Sequence, residues 1–98
     1  MKINLVIFLS SASVTMLKTI ESNFRPIQGD IIDDPGFDPR FHNGYEVVKV
    51  TTNYDANECF VSLHPLVLEL EEMKVEDYIE KLKNNGWQVL SIEEFYIK

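Results

Sequence analysis

The stretch Pro26-Ile27-Gln28-Gly29-Asp30-Ile31-Ile32 constrains the fold of this chain more than any other. Proline locks one backbone dihedral and glycine admits a positive one, so the run reads as a tight turn. Phe24 before it and the β-branched pair Ile31-Ile32 after it read as the ends of two strands that meet there. The stretch bears on architecture and carries no chemistry. The rest of the chain behaves in the same way, with clear folding signals and no constellation that names a reaction.

The 98 residues make one domain, 1–98, long enough for a single core without disulfides or a metal. Hydrophobic residues at 45% and charged residues at 26% argue for a globular chain and against disorder. The aromatics run from Phe8 to Tyr96, so the core draws on the whole length. Cys59 is the single cysteine, which excludes an intramolecular disulfide and gives no sign of a secreted, stapled scaffold.

A net charge of −7 speaks against nucleic acid as a partner, because counterion release from phosphate needs lysine and arginine. Only nine basic residues are present, and none cluster more tightly than Lys81 and Lys83. An anionic membrane surface is an equally poor partner. The acidity itself reads as solubility rather than mimicry of nucleic acid.

Met1-Lys2, the apolar Ile3–Leu9 and then Ser10-Ser11-Ala12 imitate a signal peptide. The apolar run is short and interrupted by Asn4, and the whole falls below the roughly 15–30 residues such a leader needs. It is also far too short to span a bilayer. Lys2–Leu9 is therefore expected to be a buried first strand of a cytoplasmic protein. After the polar break Ser10–Ser13, Val14–Glu21 admits two readings. Met16, Leu17, Ile20 and Phe24 fit one face of a helix with Ser13 as its N-cap. The β-branched Val14, Thr15, Thr19 and Ile20 weaken a short helix and favour a strand, paired with the first as a hairpin.

Beyond the Pro-Gly turn, Asp33-Asp34-Pro35-Gly36-Phe37-Asp38-Pro39-Arg40-Phe41-His42-Asn43-Gly44 cannot sustain regular structure and forms one long loop. Phe37 and Phe41 argue that it is partly pinned to the body, since both would otherwise stand in water. Tyr45–Thr52 and Cys59–Leu63 form the clearest hairpin. In its second arm Cys59, Val61 and Leu63 alternate with Phe60 and Ser62. In its first arm Val47-Val48 breaks the alternation, as a bulge would. Pro65 permits a kink or an edge position, and Leu66, Leu68 and Leu70 alternate again as a continuing strand.

One helix is well marked. Val75, Tyr78, Ile79 and Leu82 share a face, while Glu76, Asp77, Glu80, Lys81 and Lys83 take the other. Early acids and late lysines suit the helix dipole. Gly86 suits a left-handed cap, with Trp87 folding back on Leu82. Gln88–Ile97 then reads as a last strand. The expected fold is α+β: a small curved antiparallel sheet or partial SH3-like barrel, with one helix from the C-terminal half packed on it.

The spacing Phe24-x-Pro26-x-x-Gly29-Asp30-x-Ile32, followed by Tyr45-x-Val47-x-x-Val50 and a hairpin, resembles small β-barrel-like proteins of bacteria and their phages. In those a Pro-x-x-Gly-Asp turn precedes a Tyr-x-Val strand. The resemblance covers about Phe24–Leu63. It implies an SH3-like, β-rich fold and little about activity, and it leaves the acidic loop and the C-terminal unit unexplained.

Asp30, Asp33, Asp34, Asp38 and His42 form the one cluster that resembles a metal or catalytic site. Their spacing does not match an EF-hand, and His42 and His64 lack a nearby second histidine or cysteine for zinc. A calcium- or magnesium-like ion would fit better than zinc. Asp residues beside Pro and Gly are ordinarily solvated turn formers, so no metal or cofactor is expected. Cys59 reads as an inert small hydrophobe, with a reactive Cys59–His64 pair only if the strand bulges. No nucleophile elbow and no phosphate-cradling glycine loop are present. The acidic run Glu69, Glu71, Glu72, Glu76 and Asp77 reads as a solvated face. Two functions follow. The first is a non-enzymatic interaction module that docks to a protein partner, or to itself, through strand edges or the loop. The second is a small ligand- or metal-binding domain or enzyme that uses the Asp30–His42 loop. The candidate binding residues are Asp33, Asp34, Phe37, Asp38, Phe41 and His42.

Overall fold

The structure, a computed structural model, describes residues 1–10, 12–38, 44–65 and 74–90. The elements are β1 (Lys2–Leu9), β2 (Val14–Glu21), β3 (Ile31–Ile32), β4 (Tyr45–Asn53), β5 (Glu58–Leu63), α1 (Val75–Asn84) and β6 (Gln88–Leu90). The strands lie in the order β3-β4-β5-β1-β2-β6, a curled mixed sheet that accompanies one helix in a small α+β fold. The expected strand from Leu66 to Leu70, the acids Glu69, Glu71 and Glu72, and the last strand past Leu90 lie outside the described residues.

β1 and β2 form an antiparallel hairpin that pairs Lys2 with Glu21 at one end and Leu9 with Val14 at the other. Val14–Glu21 is thus a strand. Ser13 sits in the connection with φ +53 and caps no helix. Along β1 the core residues alternate: Ile3, Leu5, Ile7 and Leu9 are buried on one face with Met16, Val47, Cys59, Val61 and Leu63. Tyr78 and Leu82 from α1, with Phe37, Tyr45 and Trp87, close that core. Burial pushes the Cys59 thiol above its ordinary range, as suits a small hydrophobe.

The sheet is not wholly antiparallel, in contrast to the expectation. β5 runs parallel to β1, with Ile3 beside Cys59 and Leu5 beside Val61. The reason lies in the path after β2. The chain passes to the far side of β1 before β3 begins, so the β4–β5 hairpin returns with β5 pointing as β1 does. β6 pairs antiparallel with β2 and therefore runs parallel to β5. α1 is then the crossover between two parallel strands, the connection that parallel strands require.

The Pro26–Ile32 turn is present and is held by β4. The Asp30 amide donates to the Ile27 carbonyl (3.1 Å), Gly29 takes φ +96, and the Ile27 amide donates to Asp30 Oδ2 (3.0 Å). Gly29 N–H then reaches Val47 O at 2.9 Å, and Val47 N–H reaches Asp30 O at 2.8 Å. The β4–β5 register shifts between Val47 and Lys49, which places the bulge where alternation fails. Phe24 does not end a strand. β2 stops at Glu21, the Phe24 amide turns back onto Ser22 Oγ, and the Phe24 side chain is 86% exposed.

α1 ends as its sequence implies. Gly86 has φ +94, its amide donates to Lys83 O, and the Trp87 amide donates to Leu82 O at 3.1 Å, a Schellman closure. A Cβ on Gly86 would meet only Lys18 Cε at 3.5 Å, so substitution strains the backbone and not the packing. Gly86→Val is expected to lower stability by roughly 1–2 kcal/mol in urea denaturation. An unchanged midpoint would rule the cap out. Among the described residues no helix is long and apolar enough to cross a membrane.

Candidate functional site

The acidic loop runs inward. Asp34 is buried, with its side chain only 7% exposed, and is a junction between distant elements. Its Oδ1 receives Lys18 Nζ from β2 at 2.6 Å, and its Oδ2 receives Trp87 Nε1 at 2.9 Å and the Gly36 amide at 2.8 Å. Asp33 is exposed and its Oδ1 accepts the Asp34 amide at 2.8 Å. Asp38 is buried as well, and its amide donates to Tyr78 Oη at 3.0 Å. Phe37 is buried between Tyr45, in edge-to-face contact at 4.7 Å, and Trp87 at 5.6 Å. The expectation of a pinned loop therefore holds for Phe37. The expectation of solvated acids fails for Asp34 and Asp38, both of which are buried, and for Asp34 the neighbours supply the donors that water would have given. Phe41 and His42 lie outside the described residues.

No group of three His, Cys, Asp or Glu side chains converges as a metal site among the described residues. Asp34 in particular spends both oxygens on protein donors. His64 lies just beyond the end of β5, five residues on from Cys59 and on the order of 16 Å away at ~3.3 Å per residue. Cys59 is buried and His64 exposed, so the two form no catalytic pair.

The Tyr45 hydroxyl lies 3.4 Å from that of Tyr78. Burial first, then the Tyr78 hydroxyl and the nearby Asp38, raise its pKa far above the ordinary tyrosine value. The folded state therefore holds a proton that the unfolded chain gives up. Stability from this group is complete below about pH 10 and falls as pH rises beyond it, by up to roughly 1.4 kcal/mol per pH unit. Alkaline denaturation followed by circular dichroism should show this slope, and Tyr45→Phe should flatten it. An unaltered slope would show that Tyr45 ionises freely.

A second place was not singled out by sequence reasoning. The sheet face turned away from the core carries a groove of about 600 Å3 across β6, β2, β1, β5 and the end of β4. Asn4, Leu17, Thr19, Phe60, Glu58 and Gln88 line it, together with Lys2, Asn53 and Leu90. Its floor is fixed. Asn4, 5% exposed, donates through Nδ2 to Glu58 Oε2 (3.3 Å) and to Cys59 O (3.2 Å), and Thr19 Oγ1 donates to Asn4 Oδ1 (2.7 Å). The local sequence explains the placement. Lys2 and Asn4 alternate with Ile3 and Leu5, Glu58 and Phe60 alternate with Cys59 and Val61, and the pairing sets Asn4 beside both Thr19 and Phe60. The available signal was Asn4 itself, an amide in an otherwise apolar strand.

Comparison with protein-family models, with curated proteins and with solved structures finds no match to this chain.

Proposed function

We propose that this protein is a small non-enzymatic interaction module that receives a protein partner in the groove on the open face of its sheet. The observation that carries this reading is the preformed floor, where Asn4, Thr19 and Glu58 are fixed by one another before any partner arrives. The acidic loop has a different task. Asp34 and Phe37 face the core, so the loop straps the sheet to α1 and Trp87. A protein suits the groove better than nucleic acid or a lipid surface, both of which the net charge of −7 repels. A cytoplasmic setting accords with the lone free Cys59. The partial SH3-like reading of Phe24–Leu63 is carried by its turn and hairpin motif.

Self-association through a strand edge is the less favoured route. β3 is only Ile31 and Ile32, paired with Glu46 and Tyr45, so it leaves much of the outer edge of β4 without a strand beside it. That edge carries the bulge at Val48, the charge of Lys49 and the Arg25 guanidinium on Thr52 Oγ1, devices that oppose edge pairing. Affinity capture from the native cell tests the groove. Thr19→Arg should lose a protein that the unaltered chain and a helix-surface variant, Glu80→Arg, both retain. If all three capture the same set while remaining folded, the groove is not the working surface.

A further inference from the structure

We infer that the groove seats a lysine or arginine side chain of an extended peptide against the Glu58 carboxylate and the Phe60 ring, an assignment that rests on the open face being the partner-binding surface. The hydrogen bonds of the floor have a direction. Thr19 commits its hydroxyl proton to Asn4 Oδ1, so it offers only lone pairs to a guest. Asn4 commits both Nδ2 protons, to Glu58 Oε2 and to Cys59 O. Among the described residues the other Glu58 oxygen accepts no hydrogen bond and Glu58 joins no ion pair. Asn4, Thr19 and Glu58 thus present acceptors without donors, and a guest seated on them must bring the protons. A cationic donor does so with hydrogen bonds about twice as strong as neutral ones.

Phe60 adds a second element of recognition. It lies two residues along β5 from Glu58, on the same face, and stands beside Asn4 across the β1–β5 pairing. An aromatic face attracts an ammonium or guanidinium group. Two other lining residues suit a peptide backbone. Gln88 offers an amide, and Asn53, whose Oδ1 is taken by the Ala56 amide, offers its NH2. The chain's net charge of −7 draws basic segments toward it. Lys2 is the opposing feature. It lines the groove in register with Glu58 but forms no ion pair with it, so it repels a cationic guest without filling the site.

End-blocked pentapeptides of one neutral backbone, with lysine, arginine, norleucine or glutamate at the centre, are titrated into the full chain and followed by amide NMR. The lysine- and arginine-centred peptides are expected to shift the signals of Asn4, Thr19 and Phe60 and to bind about tenfold or more tightly than the norleucine peptide. Glu58→Gln keeps an oxygen for Asn4 Nδ2 and should erase that preference, while Lys2→Gln should strengthen binding of the basic peptides. Equal binding of the norleucine and lysine peptides in the groove overturns the cationic anchor and leaves the groove as the docking surface. Absence of groove shifts with every peptide overturns both. Concentration-dependent shifts of the same signals in the protein alone identify a second copy as the occupant and also overturn the inference.

Discussion

Asp34→Ala is expected to lower stability by roughly 3–5 kcal/mol, the usual effect of removing one partner of a buried ion pair. The loss spreads over three donors. Lys18 Nζ, the Trp87 indole and the Gly36 amide each lose their acceptor, and all are at least partly withdrawn from water. For a domain of this size the melting temperature should fall on the order of 20 °C. Asp33→Asn should change little, because Asp33 is exposed and an amide oxygen still accepts the Asp34 amide. A double-mutant cycle supplies the control. Lys18→Met added to Asp34→Ala should recover part of the loss, since no unpaired, partly buried cation then remains. A melting curve unchanged by Asp34→Ala would mean that the loop is not strapped down in solution.

The second large effect falls on the same strap. Phe37→Ala should destabilise by about 3–5 kcal/mol, as truncation of a buried phenylalanine leaves a cavity that neighbours only partly fill. Phe37 lies between Tyr45 and Trp87, so both rings lose an aromatic contact worth roughly 0.5–1.5 kcal/mol. Phe37→Leu keeps most of the volume and should cost much less. Equal losses for the two variants in chemical denaturation would assign the stabilisation to ring–ring geometry instead of volume. Tryptophan fluorescence adds a local readout, because Trp87 gains solvent when Phe37 is removed.

Some parts of this architecture are written locally and others are not. The hairpin of β1 and β2, the bulge at Val47–Lys49 and the Gly86 cap each depend on residues a few positions apart, and each was readable from alternation, branching or glycine. The parallel pairing of β1 with β5 was not. Cys59, Val61 and Leu63 alternate identically whether their neighbour runs with them or against them, so alternation reports a buried face and not a partner. The burial of Asp34 was hidden for a related reason. Its environment comes from Lys18 on one side in sequence and Trp87 on the other, while its immediate neighbours Pro35 and Gly36 spell a turn. Asn4 was visible as an interruption, but its meaning required knowing that Thr19 and Glu58 flank it. The candidate site moved from the loop to the sheet because long-range pairing, absent from local pattern, decides which polar residues meet.

The position of β1 and β2 within the sheet sets the order in which the chain can be enclosed during synthesis. They are made before their other neighbours: β1 waits for β5, and β2 waits for β6, the last described strand. A hairpin forms in roughly 1–10 μs, whereas a ribosome at about 5–20 residues per second needs seconds to deliver Glu58–Leu63. During that interval Ile3, Leu5, Ile7 and Leu9 have no cover, and both hairpin edges are open. The nascent β1–β2 hairpin is therefore open to mispairing and to chaperones during that interval. The β1–β5 and β2–β6 pairings each close a long stretch of chain, a non-local step that slows folding.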